Sequence, residues 1–128
     1  MDANAEKLLY ALYAERNAKK PQMSAAAQSM GLAGEALGRA VNALYTAGLI
    51  SGVTVKFGEE DDNPAAFATD DIILTRRGAA HVEEALGLDD DSSAIQKLRA
   101  IQVKAAAPGW EEVKVIAAKA LEDYYQTG

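Results

Sequence analysis

The sequence predicts a mostly α-helical fold with a small β-hairpin, and three observations support this prediction. Apolar residues recur at helical spacing in several segments, and these segments end at Gly or Pro. Between two of the segments, the apolar period changes from helical to alternating. The chain has 128 residues, 49% of them hydrophobic, and no cysteine. This composition suits one domain, or one domain with an appendage, and it excludes disulfides and thiolate metal sites.

The first predicted helix covers residues 4–19, where leucine and tyrosine side chains form an apolar stripe. Lys19 and Lys20 fall in its predicted last turn, where cations suit the helix dipole, and Pro21 follows.

Two further helices are predicted before the period changes. Ser24 is the expected N-cap of a short second helix that ends at Gly31. A third helix is expected from about residue 34 to residue 47, ended by Gly48. The side chains expected on its outer face include Glu35, Arg39, Asn42 and Thr46.

A β-hairpin and a fourth helix come next. Residues 50–57 alternate between apolar and polar, which predicts a strand. Residues 58–66 are rich in charge and in turn-forming residues, which predicts a loop, and residues 72–74 predict a return strand. Thr75 then caps a fourth helix that Gly87 closes.

The charged segment 88–93 is the best candidate for a domain boundary, giving a domain over residues 1–88 and a helical extension over 89–128. Ser92 or Ser93 caps a fifth helix, predicted over 94–107, and a last helix is predicted over 110–125. Both helices have an apolar face, which either packs on the domain or pairs with a second copy in a homodimer.

The order helix, short helix, helix, hairpin, helix is that of a winged helix-turn-helix with two additional C-terminal helices. The segments AVNALYTAGLISGV (residues 40–53) and ILTRRGAAHVEEAL (residues 73–86) resemble the exit of a recognition helix and the step from wing to helix. Together they resemble the YjcQ-like family of small bacterial winged-helix proteins, which are often linked to prophages. The resemblance covers about residues 4–87 and implies a winged-helix fold.

In DNA-binding members of the winged-helix class, the third helix enters the major groove. The resemblance therefore implies a transcriptional regulator that binds double-stranded DNA. Arg39 would read guanine, and Asn42 would read adenine. Phosphate contacts are expected from five further cations, which are Lys19, Lys20, Lys56, Arg76 and Arg77.

The charge distribution favours a second hypothesis. The net charge is −6, and residues 58–91 hold eleven of the 19 acidic residues with only two basic ones. A basic wing usually grips DNA, whereas this predicted wing tip is acidic. The alternative is a protein-interaction module, similar to a phage-encoded anti-CRISPR inhibitor, that docks an acidic surface on a basic partner. Its candidate residues are Glu59, Glu60, Asp61, Asp62, Asp70 and Asp71.

An enzyme is the least favoured class, since no catalytic constellation is evident. His81 is the only histidine and is expected to be a surface or half-buried helix residue. Adjacent acids such as Glu83 and Glu84 split across helix faces. We expect no metal and no cofactor. The absence of a signal peptide and of a long apolar stretch predicts a cytoplasmic protein with no membrane partner.

Overall fold

The computed structural model describes residues 3–32, 34–57, 64–68, 71–89 and 91–126, and it describes the backbone alone for residues 54–57 and 64–68. Within these ranges the chain forms six helices and two short antiparallel β ladders. The prediction of a mostly helical chain with a small β-hairpin is therefore confirmed.

Helix α1 (Ala3–Arg16) is the centre of the molecule. Every residue from Leu8 to Ala14 is buried, so the helix is covered on all sides. The other five helices that the structure describes all pack around it, α6 and α3 most extensively. A helix that is apolar all round is typical of a core position, and here it carries the core of the whole chain.

Helix α1 ends at Arg16, three residues before its predicted end. The side-chain amide of Asn17 donates a hydrogen bond to the carbonyl of Tyr13 at 2.9 Å, which satisfies a group that a further helical turn would have used. The prediction that Lys19 and Lys20 lie in the last turn is wrong, because both follow the end of the helix.

Helices α2 (Met23–Ser29) and α3 (Gly34–Thr46) follow. The predicted N-cap at Ser24 is wrong, because Ser24 lies inside α2 and no side chain caps that helix. The glycines expected at the helix ends are confirmed. Gly31 and Gly48 have φ values of 71° and 76°, which is the left-handed conformation that stops a helix.

Among its described residues, the hairpin contains four strands in two tiers, and each tier is one antiparallel pair. The strands are β1 (Ile50–Ser51), β2 (Thr54–Phe57), β3 (Pro64–Ala68) and β4 (Ile73–Leu74). Strand β1 pairs with β4, and β2 pairs with β3, each in the antiparallel sense. The single strand predicted over 50–57 is thus interrupted. The prediction of a loop through residue 66 missed the start of β3, because Pro and Ala are poor strand formers. Pro64 is tolerated as the first residue of its strand.

Helix α4 (Arg76–Leu86) is confirmed at both ends. The hydroxyl of Thr75 accepts a hydrogen bond from the backbone N–H of Gly78 at 3.0 Å, and Gly87 closes the helix with a φ of 70°. The start of α4 packs so closely on the hairpin that a Cβ at Gly78 would lie 2.2 Å from the carbonyl oxygen of Leu49.

Helices α5 (Ala94–Lys104) and α6 (Glu111–Tyr125) pack against α1 and against each other. Ser93 caps α5 in a reciprocal arrangement with Gln96, as in a capping box. The apolar faces of both helices are buried inside the chain, through Leu98, Ile101, Val113, Ile116 and Leu121. The sequence left open whether these helices pack on the rest of the chain or pair with a second copy. In the structure, they pack on the rest of the chain.

Candidate functional site

Helix α3 presents a continuous row of polar side chains on the face opposite the core. Ala40, Val41 and Leu44 are buried against the rest of the chain. Glu35, Arg39, Asn42 and Thr46 are all exposed, as the sequence predicts. These four positions follow the spacing i, i+4, i+7 and i+11, so they form one narrow stripe along the helix. We call Glu35, Arg39, Asn42 and Thr46 the outer stripe.

Within the outer stripe, Arg39 forms an ion pair with Glu35 one turn earlier. The side chains of Arg39 and Glu35 are 67% and 79% exposed, so water screens the pair strongly. A pair of this kind stabilises a helix by only about 0.3–0.5 kcal/mol. Arg39 is therefore partly neutralised in the free protein but can be released at little cost.

The start of α4 contacts the end of α3. The hydroxyl of Thr75 donates to the carbonyl oxygen of Gly48 at 2.7 Å. The guanidinium of Arg77 packs over the same glycine, since a Cβ placed on Gly48 would lie 3.4 Å from it. A cation suits this position because the carbonyl end of a helix carries partial negative charge.

The position of Arg77 gives it a structural role that the sequence reading had missed. Arg76 is exposed beside it. Asp71 forms no ion pair with either arginine within the described part of the chain.

Lys19 lies at a different junction. Its Nζ atom is 5.4 Å from the ring centre of Tyr124 on α6, which is a cation–π contact. The hydroxyl of Tyr124 in turn donates to the carbonyl of Asn17 at 2.7 Å. Lys19 thus helps to join the ends of α1 and α6. Both Lys19 and Lys20 are exposed.

Several predicted site residues cannot be placed with these. Lys56 lies on β2 opposite Ala66, but its side chain lies outside the described part of the structure. Glu59, Glu60, Asp61, Asp62 and Asp70 also lie outside the described residues. Of the acidic set, only Asp71 is described, and it is exposed.

Asp71 borders a shallow groove of about 610 Å³ between the start of α2 and the approach to β4. Pro21, Gln22 and Met23 line one side, and Ile72 and Ile73 line the other. Among the described residues, the lining mixes polar and apolar groups and includes one charged side chain, so the groove does not define a specific ligand.

A buried polar cluster joins the three helices α1, α4 and α5. The hydroxyl of Tyr13 on α1 donates to a carboxylate oxygen of Glu83 on α4 at 3.0 Å. Lys97 on α5 places its Nζ atom 3.2 Å from the same oxygen. Burial, and next the hydrogen bond to Glu83, raise the pKa of Tyr13 above its ordinary range.

No sequence motif pointed to this cluster, because its members are 14 to 84 positions apart. His81 is exposed. Glu83 and Glu84 lie on different faces of α4, as expected, and the burial of Glu83 is a further finding. Among the described residues, no three acidic or histidine side chains are grouped so that they could hold a metal ion. No described helix is long and apolar enough to cross a membrane.

Comparison of the chain with protein-family models, with curated proteins and with solved structures found no match. The resemblance to YjcQ-like proteins therefore stays a prediction from the sequence. The best-defined polar surface in the described residues is the outer stripe of α3 with the start of α4 at its end.

Proposed function

We propose that this chain is a winged-helix protein that binds double-stranded DNA, with α3 in the major groove, and that it serves as a transcriptional regulator of bacterial or prophage origin. The observation that carries this proposal is the outer stripe. It presents a guanidinium and a side-chain amide, through Arg39 and Asn42, on a helix whose other face is buried.

The chemistry of these two groups suits base reading. A guanidinium donates two parallel hydrogen bonds to guanine, and an amide exchanges two with adenine. Arg39 and Asn42 are three positions apart, about 4.5 Å along the helix axis, which is close to the spacing of neighbouring base pairs. The main contacts of α5 and α6 are with α1 and with each other, so these helices leave the outer stripe accessible.

The charge of the chain limits how such binding would work. With a net charge of −6, long-range attraction to a polyanion is weak. Affinity would come from local contacts, in which Arg76 and Lys20 are exposed candidates for phosphate binding. Binding to DNA of arbitrary sequence is therefore expected only at low salt.

The acidic-docking hypothesis remains a prediction, because five of its six residues lie outside the described part of the chain. Among the described residues, no contact favours acidic docking over DNA binding by the outer stripe.

Fluorescence anisotropy with random-sequence duplex DNA, at low and at moderate salt, tests the proposal. The preferred duplex is then selected from the pool. Arg39→Ala is expected to weaken binding to it by about fivefold or more, since one good base contact contributes about 1–3 kcal/mol. Asn42→Ala is expected to do the same and to relax the preference at one position.

Lys119→Ala is the matched control, because it removes the same charge from an exposed position on α6. It should change binding little. If the protein binds no duplex even at low salt, or if Arg39→Ala behaves like Lys119→Ala, the DNA proposal is overturned. The chain would then be used as bait for a basic partner protein.

A further inference from the structure

Glu35 is the member of the outer stripe that simple DNA affinity does not explain. It is highly exposed, and it lies on the same line as Arg39 and Asn42. Its charge cancels that of Arg39, so the outer stripe as a whole is electrically neutral. A carboxylate on a surface that approaches phosphates lowers affinity for every DNA sequence alike.

The major groove offers one way to offset that repulsion. Carboxylates accept hydrogen bonds from the exposed amino group of cytosine, whereas guanine and thymine present acceptors. Adenine also has an amino group, but the acceptor N7 beside it suits an amide better than a carboxylate. Glu35 lies one turn before Arg39, about 6 Å along the helix. With base pairs about 3.4 Å apart, the two side chains would meet base pairs one or two steps apart.

The ion pair itself does not prevent this. Because both partners are mostly exposed and screened by water, separating them costs little. Until separated, the pair holds Arg39 along the helix and reduces its attraction to phosphates. The two side chains would separate from each other where a guanine faces Arg39 and a cytosine faces Glu35.

We propose that Glu35 is a specificity-determining residue, which suppresses binding to DNA of arbitrary sequence and requires a cytosine in the preferred site. This inference rests on the proposed DNA-binding function. It explains how a chain of net charge −6 would select a sequence: discrimination comes from the outer stripe, while general attraction is kept low.

The test compares Glu35→Gln with Glu112→Gln. Each variant removes one negative charge from an exposed helix position, but only the first changes the outer stripe. Each protein is used to select duplexes from a pool with a randomised core, and its affinity for the unselected pool is measured by anisotropy. Far-UV circular dichroism checks that both variants are folded.

Glu35→Gln is expected to bind the unselected pool at least threefold more tightly than Glu112→Gln. It should also exchange a preference for cytosine at one position for adenine, because an amide pairs with adenine. If the wild-type protein selects a site and Glu35→Gln selects the same site with the same affinity for the pool as Glu112→Gln, this proposal alone is overturned. If no protein binds any duplex, the proposed function is overturned and this proposal with it.

Discussion

Tyr13 shows how a single polar group can join distant parts of the chain. Its hydroxyl donates to Glu83, which also contacts Lys97, so α1, α4 and α5 meet at one carboxylate. The side chain of Tyr13 is 1% exposed. Sequence reading placed Glu83 on a helix correctly but could not predict its burial, because that depends on partners 14 and 70 positions away.

Replacing Tyr13 with Phe is expected to lower the free energy of unfolding by about 1–2 kcal/mol. The ring still fills its place, but Glu83 loses a hydrogen bond in a buried setting. Urea unfolding followed by circular dichroism measures the change. Tyr45→Phe is the control. Tyr45 is 49% exposed, so water can occupy the place of its lost hydroxyl and little stability should be lost. Equal stability of the two variants would contradict a structural role for the buried hydroxyl.

Tyr13 is also expected to make the folding stability depend on pH in the alkaline range. The pKa of Tyr13 is raised in the folded state from its ordinary value of 10.0, chiefly by burial and then by Glu83. Above pH 10 the unfolded chain loses this proton while the folded chain keeps it, so folding stability falls as the pH rises. The slope contributed is up to about 1.4 kcal/mol per pH unit. In Tyr13→Phe the decline above pH 10 should be shallower, and an unchanged slope would contradict the assignment.

At the scale of elements, the helix ends were predictable wherever a local signal decides them. Gly31, Gly48 and Gly87 end helices as expected, and Thr75 and Ser93 begin them. Ser24 is an exception, because α2 begins one residue before it and has no side-chain cap. Longer-range contacts account for another error. The end of α1 depends on Asn17, whose side chain donates a hydrogen bond to the carbonyl of Tyr13. The carbonyl of Asn17 also accepts a hydrogen bond from the hydroxyl of Tyr124, 107 positions away.

The hairpin illustrates the same limit. Strand β3 has little intrinsic preference for extended structure and is fixed by its pairing with β2. No sequence signal indicated the break between the pair β1–β4 and the pair β2–β3. Two residues separate β1 from β2, but four separate β3 from β4, so the ladder shifts register at that point. The position of the outer stripe was predictable, since it follows from the period of α3 alone. Its ion pair has the i, i+4 spacing that a sequence also shows. The contact of Arg77 with Gly48 was not predictable, because it joins separate elements.

Gly52 lies at the break between the two strand pairs, where a side chain has no room. Its φ is 75°, and a Cβ there would lie 1.9 Å from the carbonyl oxygen of Asp71. Gly52→Ala is therefore expected to cost about 2–4 kcal/mol, from backbone strain and overpacking together. Gly87→Ala is the matched control, because Gly87 has a similar φ of 70° with no atom within 4 Å of the added Cβ.

Gly87→Ala should lower the free energy of unfolding by only about 1–2 kcal/mol, because it adds backbone strain without overpacking. Thermal unfolding of both variants gives the comparison. A Gly52→Ala protein as stable as Gly87→Ala would show that the two tiers can separate at the shift without loss.

At the scale of the whole molecule, the buried state of α1 bears on whether residues 1–88 form a domain by themselves. The C-terminal helices cover α1 and fill the core with five large apolar side chains, namely Leu98, Ile101, Val113, Ile116 and Leu121. Burying each such side chain stabilises the fold by about 1.5–3 kcal/mol. Their sum is comparable to the entire net stability of a typical domain, about 5–15 kcal/mol.

A fragment of residues 1–88 is therefore expected not to fold cooperatively. It would expose the apolar surface of α1 that α6 covers, and it would leave Glu83 without Lys97. Circular dichroism and urea unfolding of the fragment, beside the full chain, measure this. Adding a peptide of residues 89–128 should restore helical signal and a cooperative transition, because the missing contacts are then supplied from a second chain. A fragment that unfolds cooperatively by itself, with a midpoint near that of the full chain, would show instead that α5 and α6 are a separable appendage and that the core ends at the charged segment 88–93.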